Sequence, residues 1–392
     1  MKIAFCLEYP IDAFGGTEVL VRELIKGFSG KHEIVLVSND TVDAAKKSSI
    51  GPLISEHIFW DGNKVSPETS RELALALAQK KIDLAHFHSG GIFGWGNRFP
   101  GCSPFRYLAP LGVPCLSTVH LVVDVLNGYC GPQKPNWFKL LMLPLAWCGK
   151  ADQLRHTQFE IAVSQHDFQK LCRWYRPFQS KFRQLYHSRL HRESDLVPSA
   201  SEREQVILNV GHIAWRKGQL VLAEAFALIA ERYPEWKLQF IGEEVGTEIS
   251  NQIRQIAKVH RLEDRILLMG PRNDVADFMR KASVYVQPSF WEALGLALQE
   301  AMFYGCPAIG SRAGGIPELI EEGRTGLVID PGNASQLADA LDYLIRDEVR
   351  RKNWGQAAAA SIRSKGMTAE GMVERHLSLY EVAVGTRHCL QG

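Results

Sequence analysis

Gln287-Pro288-Ser289-Phe290-Trp291-Glu292-Ala293-Leu294-Gly295-Leu296-Ala297-Leu298-Gln299-Glu300-Ala301-Met302 leads out of the apolar, β-rich run Val284 to Val286 and into a stretch of helical period. In a parallel α/β layer, ligands gather where strands end, because loops and helix N-termini there present unpaired N–H groups to anions. This stretch has that form. Gly295 and Leu296 would offer N–H groups at a helix start, where the macrodipole favours negative charge. Two carboxylates bracket the start: Glu292 lies just before it, and Glu300 about one turn inside. A single glutamate on a surface is ordinarily solvated, but Glu, Gly and Glu at this spacing past a strand end are not an ordinary surface pattern.

Moving outward, the same alternation of short strand and helix recurs on both sides. Upstream it begins with Ile3 to Leu7, a helix from about Thr17 to Phe28, and Glu33 to Val37, which together form a βαβ unit. It continues through a helical Ser70 to Lys80 and strands at Ile82 to Phe87, Pro114 to Val119 and Glu160 to Val163. Strands at Val206 to Val210, Leu238 to Ile241, Ile266 to Met269, Val284 to Val286, Pro307 to Ile309 and Gly326 to Val328 make a second series. Between the two series, His191 to Gln205 is polar and strand-poor, and reads as a linker. The expected architecture is α/β: two doubly wound, Rossmann-like parallel-sheet domains facing a cleft. Residues 1–190 form the first, 191–205 the linker and 206–365 the second. Residues 366–392 carry a final helix, about Thr368 to Val384, whose apolar Met372, Leu377, Leu379, Tyr380 and Val382 need a surface to cover, which we expect on the N-terminal domain.

Size and composition agree with two domains. At 392 residues and 46% apolar side chains, the chain exceeds what one core usually serves. Forty-five Lys and Arg against 43 acidic residues leave a net charge of +2, which argues against nucleic acid as a partner. The eight cysteines are scattered, without a C-x-x-C pair, and read as reduced thiols of a cytoplasmic protein. The apolar run at the N-terminus is too short for a signal peptide and reads as a first buried strand. The longest apolar stretch, Trp137 to Cys148, contains Lys139 and Pro144 and falls short of the roughly 20 residues a membrane-spanning helix needs. Trp137, Phe138, Leu140, Leu141 and Trp147 beside Lys134, Lys139 and Lys150 also have the make-up of an interfacial segment, so peripheral contact with the inner face of a membrane stands beside the plainer reading of a buried helix.

Two more strand ends carry candidate chemistry. Ala13-Phe14-Gly15-Gly16-Thr17-Glu18 sets two glycines before a helix, where backbone can approach a ligand or simply turn. The G-x-G-x-x-G dinucleotide pattern is absent from it. Gly211-His212-Ile213-Ala214-Trp215-Arg216-Lys217-Gly218 places two cations and a glycine between a strand and a helix, which suits a diphosphate. A charge-assisted hydrogen bond to such a group is worth roughly 1.5 to 3 kcal/mol. His86 and His88 share one strand face, yet no carboxylate or cysteine stands at ligand spacing from them, so packing or an acceptor contact is expected and no metal. His187 and His191 are spaced for one helix face, and their place beside the linker predicts solvation.

The segment Glu292 to Glu300 resembles the E-x7-E signature of retaining glycosyltransferases with the GT-B architecture, specifically the large family four. The resemblance spans essentially the second domain: Lys217-Gly218, Gly242, Gly270, Pro288-Ser289, Glu292 to Glu300, Ala313-Gly314-Gly315-Ile316-Pro317-Glu318 and Gly326-Leu327-Val328. In the first domain it is thinner but in the same order, through Gly15-Gly16, Asp83 to His88, Thr118-Val119-His120 and Ala162-Val163-Ser164. It implies that His120 and Glu292 are the catalytic pair, His120 near the anomeric centre and C6 region of the donor and Glu292 near the donor-sugar hydroxyls. It further implies Gly16, Arg216, Lys217, Gly295 and Leu296 on the diphosphate, Glu300 on the ribose, and Gly15, His88 and Leu294 among acceptor or sugar contacts. Two departures stand out: His212 where family members often carry Arg, and Leu185-Tyr186-His187-Ser188-Arg189 where an Asn-Gly turn often precedes the linker.

The resemblance implies transfer of a sugar from a nucleotide-diphosphate donor, a UDP-sugar by family frequency, to a hydroxyl acceptor. Configuration would be retained by front-face departure and attack on an oxocarbenium-like sugar. Fixed cations take the place of a metal, since no D-x-D pair is present, and no cofactor is expected. The acceptor, a glycan, a small metabolite or a lipid-linked species of the cell envelope, would be chosen by first-domain loops, with Asn127 to Ala151 the leading selector because it breaks the alternation around it. A sugar-nucleotide epimerase or a phosphorylase could use the same two-sheet frame. A periplasmic-type binding protein could as well, but should carry an export signal.

Overall fold

The computed structural model describes residues 1–13, 16–62, 64–122, 130, 134–188 and 203–391, with side chains through 385 in the last helix. Its chain divides into two compact units, Met1–Leu190 together with Ala369–Gly392, and His191–Thr368.

The first unit is built on seven parallel strands: β1 (Lys2–Leu7), β2 (Glu33–Ser38), β3 (Glu56–Phe59), β4 (Leu84–Ser89), β5 (Cys115–Val119), β6 (Phe159–Ala162) and β7 (Phe182–Gln184). They lie in the order β3-β2-β1-β4-β5-β6-β7. The central strands are buried along almost their whole length, as sheets covered by helices on both faces must be, which is why they read as continuous apolar runs. β3 and β7 escape a sequence reading because they are short edge strands with polar or half-exposed residues and no apolar run. The second unit repeats the plan with β8 (Glu204–Val210), β9 (Lys237–Ile241), β10 (Ile266–Leu268), β11 (Ala282–Gln287), β12 (Ala308–Ser311) and β13 (Gly326–Ile329), ordered β10-β9-β8-β11-β12-β13. In each unit the strand order reverses between two neighbours, β1 and β4 or β8 and β11, and the crevice beyond their carboxyl ends is where such sheets bind ligands.

The last helix, Ala369–Gln391, belongs to the first unit. Tyr380 is buried against the ring of Phe28 at 5.4 Å, and Met372 and Ala383 are also buried, while Val382 stands exposed. Gly27 makes room for it: a Cβ there would lie 2.2 Å from Val373 Cγ2.

Trp137 to Cys148 falls inside one long helix, Asn136–His156, which keeps Pro144 in its interior. The buried-helix reading holds only for its second half. Trp137, Leu140 and Leu141 in its first turns are exposed, whereas Lys139 and Lys150 are buried and cannot act as interfacial anchors; Lys134 alone of the three is exposed. Lys150 Nζ donates to Glu160 Oε2 at 2.7 Å, with both side chains at most 1% exposed. Ser117 Oγ and Gln153 Nε2 donate to the same oxygen, which is how an ion pair can sit in this core. No helix among the described residues is long and apolar enough to cross a membrane. The linker expectation for 191–205 lies outside the described residues apart from its last three.

Candidate active site

β8 ends at Val210, and the chain turns through Gly211 to Ala214 into the short 3-10 helix Trp215–Lys217 before the helix Gln219–Ile229. β11 ends at Gln287, and the loop after it runs to Gly295, the left-handed N-cap of the helix Leu296–Phe303. The two loops are stitched together. Phe290 N donates to Arg216 O at 2.8 Å, and the Trp215 ring stacks on Phe290 at 5.0 Å, 3° from parallel. Gly218 abuts Pro288 so closely that a Cβ would lie 2.1 Å from its carbonyl oxygen, which explains a glycine directly after Lys217.

This stitching brings Lys217 to Glu292. Nζ donates to Oε2 at 2.6 Å, with the side chains 14% and 13% exposed. The same oxygen accepts from Ser289 Oγ at 3.2 Å and Gln287 Nε2 at 3.4 Å, while Gln287 Oε1 takes the Tyr285 hydroxyl at 2.9 Å. Burial pushes the Tyr285 phenol well above its usual range, with Glu292 and Glu300 adding to the effect, so it serves as a neutral donor. Glu292 Oε1 has no partner among the described residues. The carboxylate is therefore held by one oxygen and offers the other. A Cβ on Gly314, whose φ is +55°, would fall 1.5 Å from the Glu292 carbonyl oxygen, so the loop after β12 also fixes this turn. Sequence alone assigns no role to Gln287, Ser289 or Tyr285; the one available signal is a polar Gln287 closing a fully buried strand.

The other site residues of this unit fall into two groups. Arg216 is half-buried and makes no ion pair among the described residues, and His212 is half-buried with its carbonyl accepting from Gln219 Nε2 at 2.9 Å. Leu296 opens the helix, Gly295 caps it, and the first-turn N–H groups have no intrahelical partner. Glu300, which ribose contact would require to be accessible, is only 5% exposed, and the Leu294 side chain is buried. Glu300 lies within the helix Leu296–Phe303, and Leu294 in the loop just before its Gly295 cap.

In the first unit, Gly16 opens the helix Gly16–Phe28 and is exposed; Gly15 lies outside the described residues. His120 follows β5, with its N–H bonded to Ser89 O at 3.0 Å. His88, named as an acceptor or sugar contact, is buried at the end of β4, and its Nδ1 faces His120 Nε2 at 3.1 Å. His86 Nδ1 pairs with the Tyr380 hydroxyl at 2.5 Å and its Nε2 with Thr118 Oγ1 at 2.7 Å. His187, expected in solvent, is fully buried, its ring 5.3 Å from His120 and 5.2 Å from His376; His191 lies outside the described residues. Five imidazoles thus cluster where the C-terminal helix meets the sheet. Burial holds all of them below the usual histidine range, His120 to about 3 and His376 to about 4. Among the described residues no group of three His, Cys, Asp or Glu is placed to hold a metal ion.

Comparison with known proteins places this geometry. Residues 14–212 match the family model Glycosyltransferase Family 4, and residues 192–361 match Glycosyl transferases group 1. N-acetyl-alpha-D-glucosaminyl L-malate synthase of Bacillus anthracis is 31% identical over 180 residues, 46% of each chain. D-inositol 3-phosphate glycosyltransferase of Pseudarthrobacter chlorophenolicus is 34% identical over 182 residues, 45% of this chain and 43% of that one. The matched part thus spans about half the length of these curated relatives. Among solved structures, a glycosyltransferase from Rickettsia africae superposes with a TM-score of 0.74 at 19% identity, covering 98% of both chains. Anabaena HepE in complex with UDP and glucose superposes with a TM-score of 0.75 at 17% identity, covering 97% of this chain and 100% of that one. A family model matching half of the chain, together with two doubly wound parallel sheets and their structural neighbours, establishes that this chain belongs to glycosyltransferase family 4 and has the GT-B fold.

Proposed function

We propose that the protein transfers a sugar from a nucleotide-diphosphate donor, a UDP-sugar in the first instance, to a hydroxyl acceptor with retention of configuration and without a metal. The observation that carries this reading is the Lys217–Glu292 pair beside the helix start at Gly295. A cation, a carboxylate with one oxygen uncommitted and a set of helix N–H groups converge at the topological switch point of one sheet. In the reading, Lys217, Arg216 and the N–H groups of Gly295 and Leu296 take the charge that builds on the leaving diphosphate, a preorganised arrangement whose single members can be worth roughly 3 to 4 kcal/mol. Glu292 Oε1 accepts from a donor-sugar hydroxyl, His120 meets the donor sugar, Glu300 serves the ribose after a local adjustment of its helix, and Gly16 lets backbone approach the phosphates. The acceptor hydroxyl gives its proton to the departing phosphate.

The exposed Trp137, Leu140 and Leu141 are the feature on which a peripheral approach to a lipid or lipid-linked acceptor rests, and loss of vesicle binding on Trp137→Ser would be its signature. UDP is the first probe because the Anabaena HepE structure holds it. The test is a thermal-shift panel of UDP, GDP, ADP and their sugar conjugates, since a ligand at about 100 times its Kd stabilises by roughly 2.7 kcal/mol. One nucleotide should raise the midpoint in the native protein and fail to do so in Lys217→Ala; no shift with any nucleotide refutes the reading.

A further inference from the structure

His88 lies wedged in the sheet of the first unit. The Phe5 ring stacks 6.2 Å away at 20°, and the His86 ring lies 4.0 Å away. His86 is itself held at both nitrogens, by the Tyr380 hydroxyl and by Thr118 Oγ1. Fixed in this way, His88 presents Nδ1 to His120 Nε2 at 3.1 Å.

A hydrogen bond between two imidazoles needs a proton on one of the facing nitrogens and none on the other. Both rings are buried, and burial disfavours their charged forms, so each carries a single proton. Two arrangements remain. If His120 donates from Nε2, the proton of His88 must sit on its own Nε2, which is buried with no partner among the described residues. If His88 donates from Nδ1, that buried Nε2 is a bare ring nitrogen. The first arrangement puts an N–H on a fully buried nitrogen with no acceptor among the described residues, whereas the second puts the N–H of His120 on Nδ1, which is not among the fully buried unpartnered atoms and can meet water or a ligand. The second arrangement is therefore the favoured one, with the single proton of His120 on Nδ1.

We propose that His88 is a positioning residue that locks His120 in its Nδ1–H tautomer, so that His120 meets its ligand as a hydrogen-bond donor and not as a proton-abstracting base. The inference rests on the reading that His120 contacts the donor sugar. It adds the chemistry of that contact: an oxygen lone pair of the sugar accepts the Nδ1 proton, and the acceptor's proton leaves by another route.

The test reads the tautomer directly. In protein labelled with 15N-histidine, long-range proton–nitrogen correlation near neutral pH should give His120 a protonated Nδ1 and a bare Nε2, the spin system being identified by its loss in His120→Gln. A protonated Nε2 on His120 overturns the proposal. His88→Leu should let the two tautomers of His120 mix and lower turnover on the order of tenfold, the effect of one ordinary hydrogen bond, with little change in the donor KM. His88→Asn, whose amide can donate from near the place of Nδ1, should restore both. An unchanged tautomer in folded His88→Leu also overturns it, and if that variant does not fold, the native protein and His88→Asn still decide. Failure of the underlying reading looks different: His120→Ala would then turn over normally, whatever the tautomer in the native protein.

Discussion

Lys217→Ala removes a cation that bridges two loops from 75 residues apart, and the structure says how much should be lost and where. The lysine makes one short bond, 2.6 Å to Glu292 Oε2, in a setting where both side chains are largely shielded from water. Glu292 keeps Ser289 and Gln287 as donors, so the carboxylate is not stripped, and the second unit should lose only about 1 kcal/mol of stability out of a typical 5 to 15. Donor affinity should fall much further. One charge-assisted bond to a phosphate is worth about 1.5 to 3 kcal/mol, which at about 1.4 kcal/mol per decade raises the Kd for UDP on the order of 10- to 150-fold. Isothermal titration calorimetry on protein with an unchanged far-ultraviolet spectrum measures this. Adding Glu292→Gln separates the two roles of the lysine. If Lys217 only neutralises Glu292, the double variant regains native affinity for UDP; if it grips the diphosphate, the loss persists. An unchanged Kd in folded Lys217→Ala would refute the reasoning.

Three further outcomes follow from the geometry. Gly314→Ala should cost about 1 to 3 kcal/mol and lower nucleotide affinity without touching a ligand, because the new methyl group would collide with the Glu292 carbonyl at a left-handed φ; calorimetry and denaturation together test it. Lys150→Met should destabilise the first unit by about 3 to 5 kcal/mol by leaving Glu160 buried and unpaired, and a second change, Glu160→Leu, should recover much of the urea midpoint. Acid should weaken the first unit through its five buried imidazoles. An unfolded histidine binds its proton near pH 6.5 while His376 in the fold waits until about 4 and His120 until about 3, so the unfolded chain holds more protons in that window. Stability is thus complete above about pH 6.5 and declines below it, by up to about 1.4 kcal/mol per pH unit for each group. A denaturation midpoint that stays level between about pH 7 and about pH 5 would contradict this, and His376→Leu should flatten the slope.

The strands that line both switch points could be read from sequence because a buried parallel strand must be apolar on both faces, and that demand is local. β3 and β7 could not, since an edge strand is held by one neighbour and tolerates polar residues such as Glu56 and Arg183. Glu292, Gly295 and Glu300 were legible as a group because the strand-to-helix turn that joins them is itself contiguous. Their accessibility was not: the way the helix Leu296–Phe303 packs, and not the spacing of Glu292 and Glu300, buries Glu300. Long-range contact decided the rest. Lys217 reaches Glu292 through loops stitched at Phe290 and Gly218, Lys150 is drawn into the core by Glu160, and His187 joins His86, His88, His120 and His376 once the C-terminal helix lies on the first sheet. A residue's own neighbours in sequence carry its secondary-structure period, but its charge state, burial and partners depend on segments up to 294 positions away, as for His86 and Tyr380, and only the folded chain brings those together.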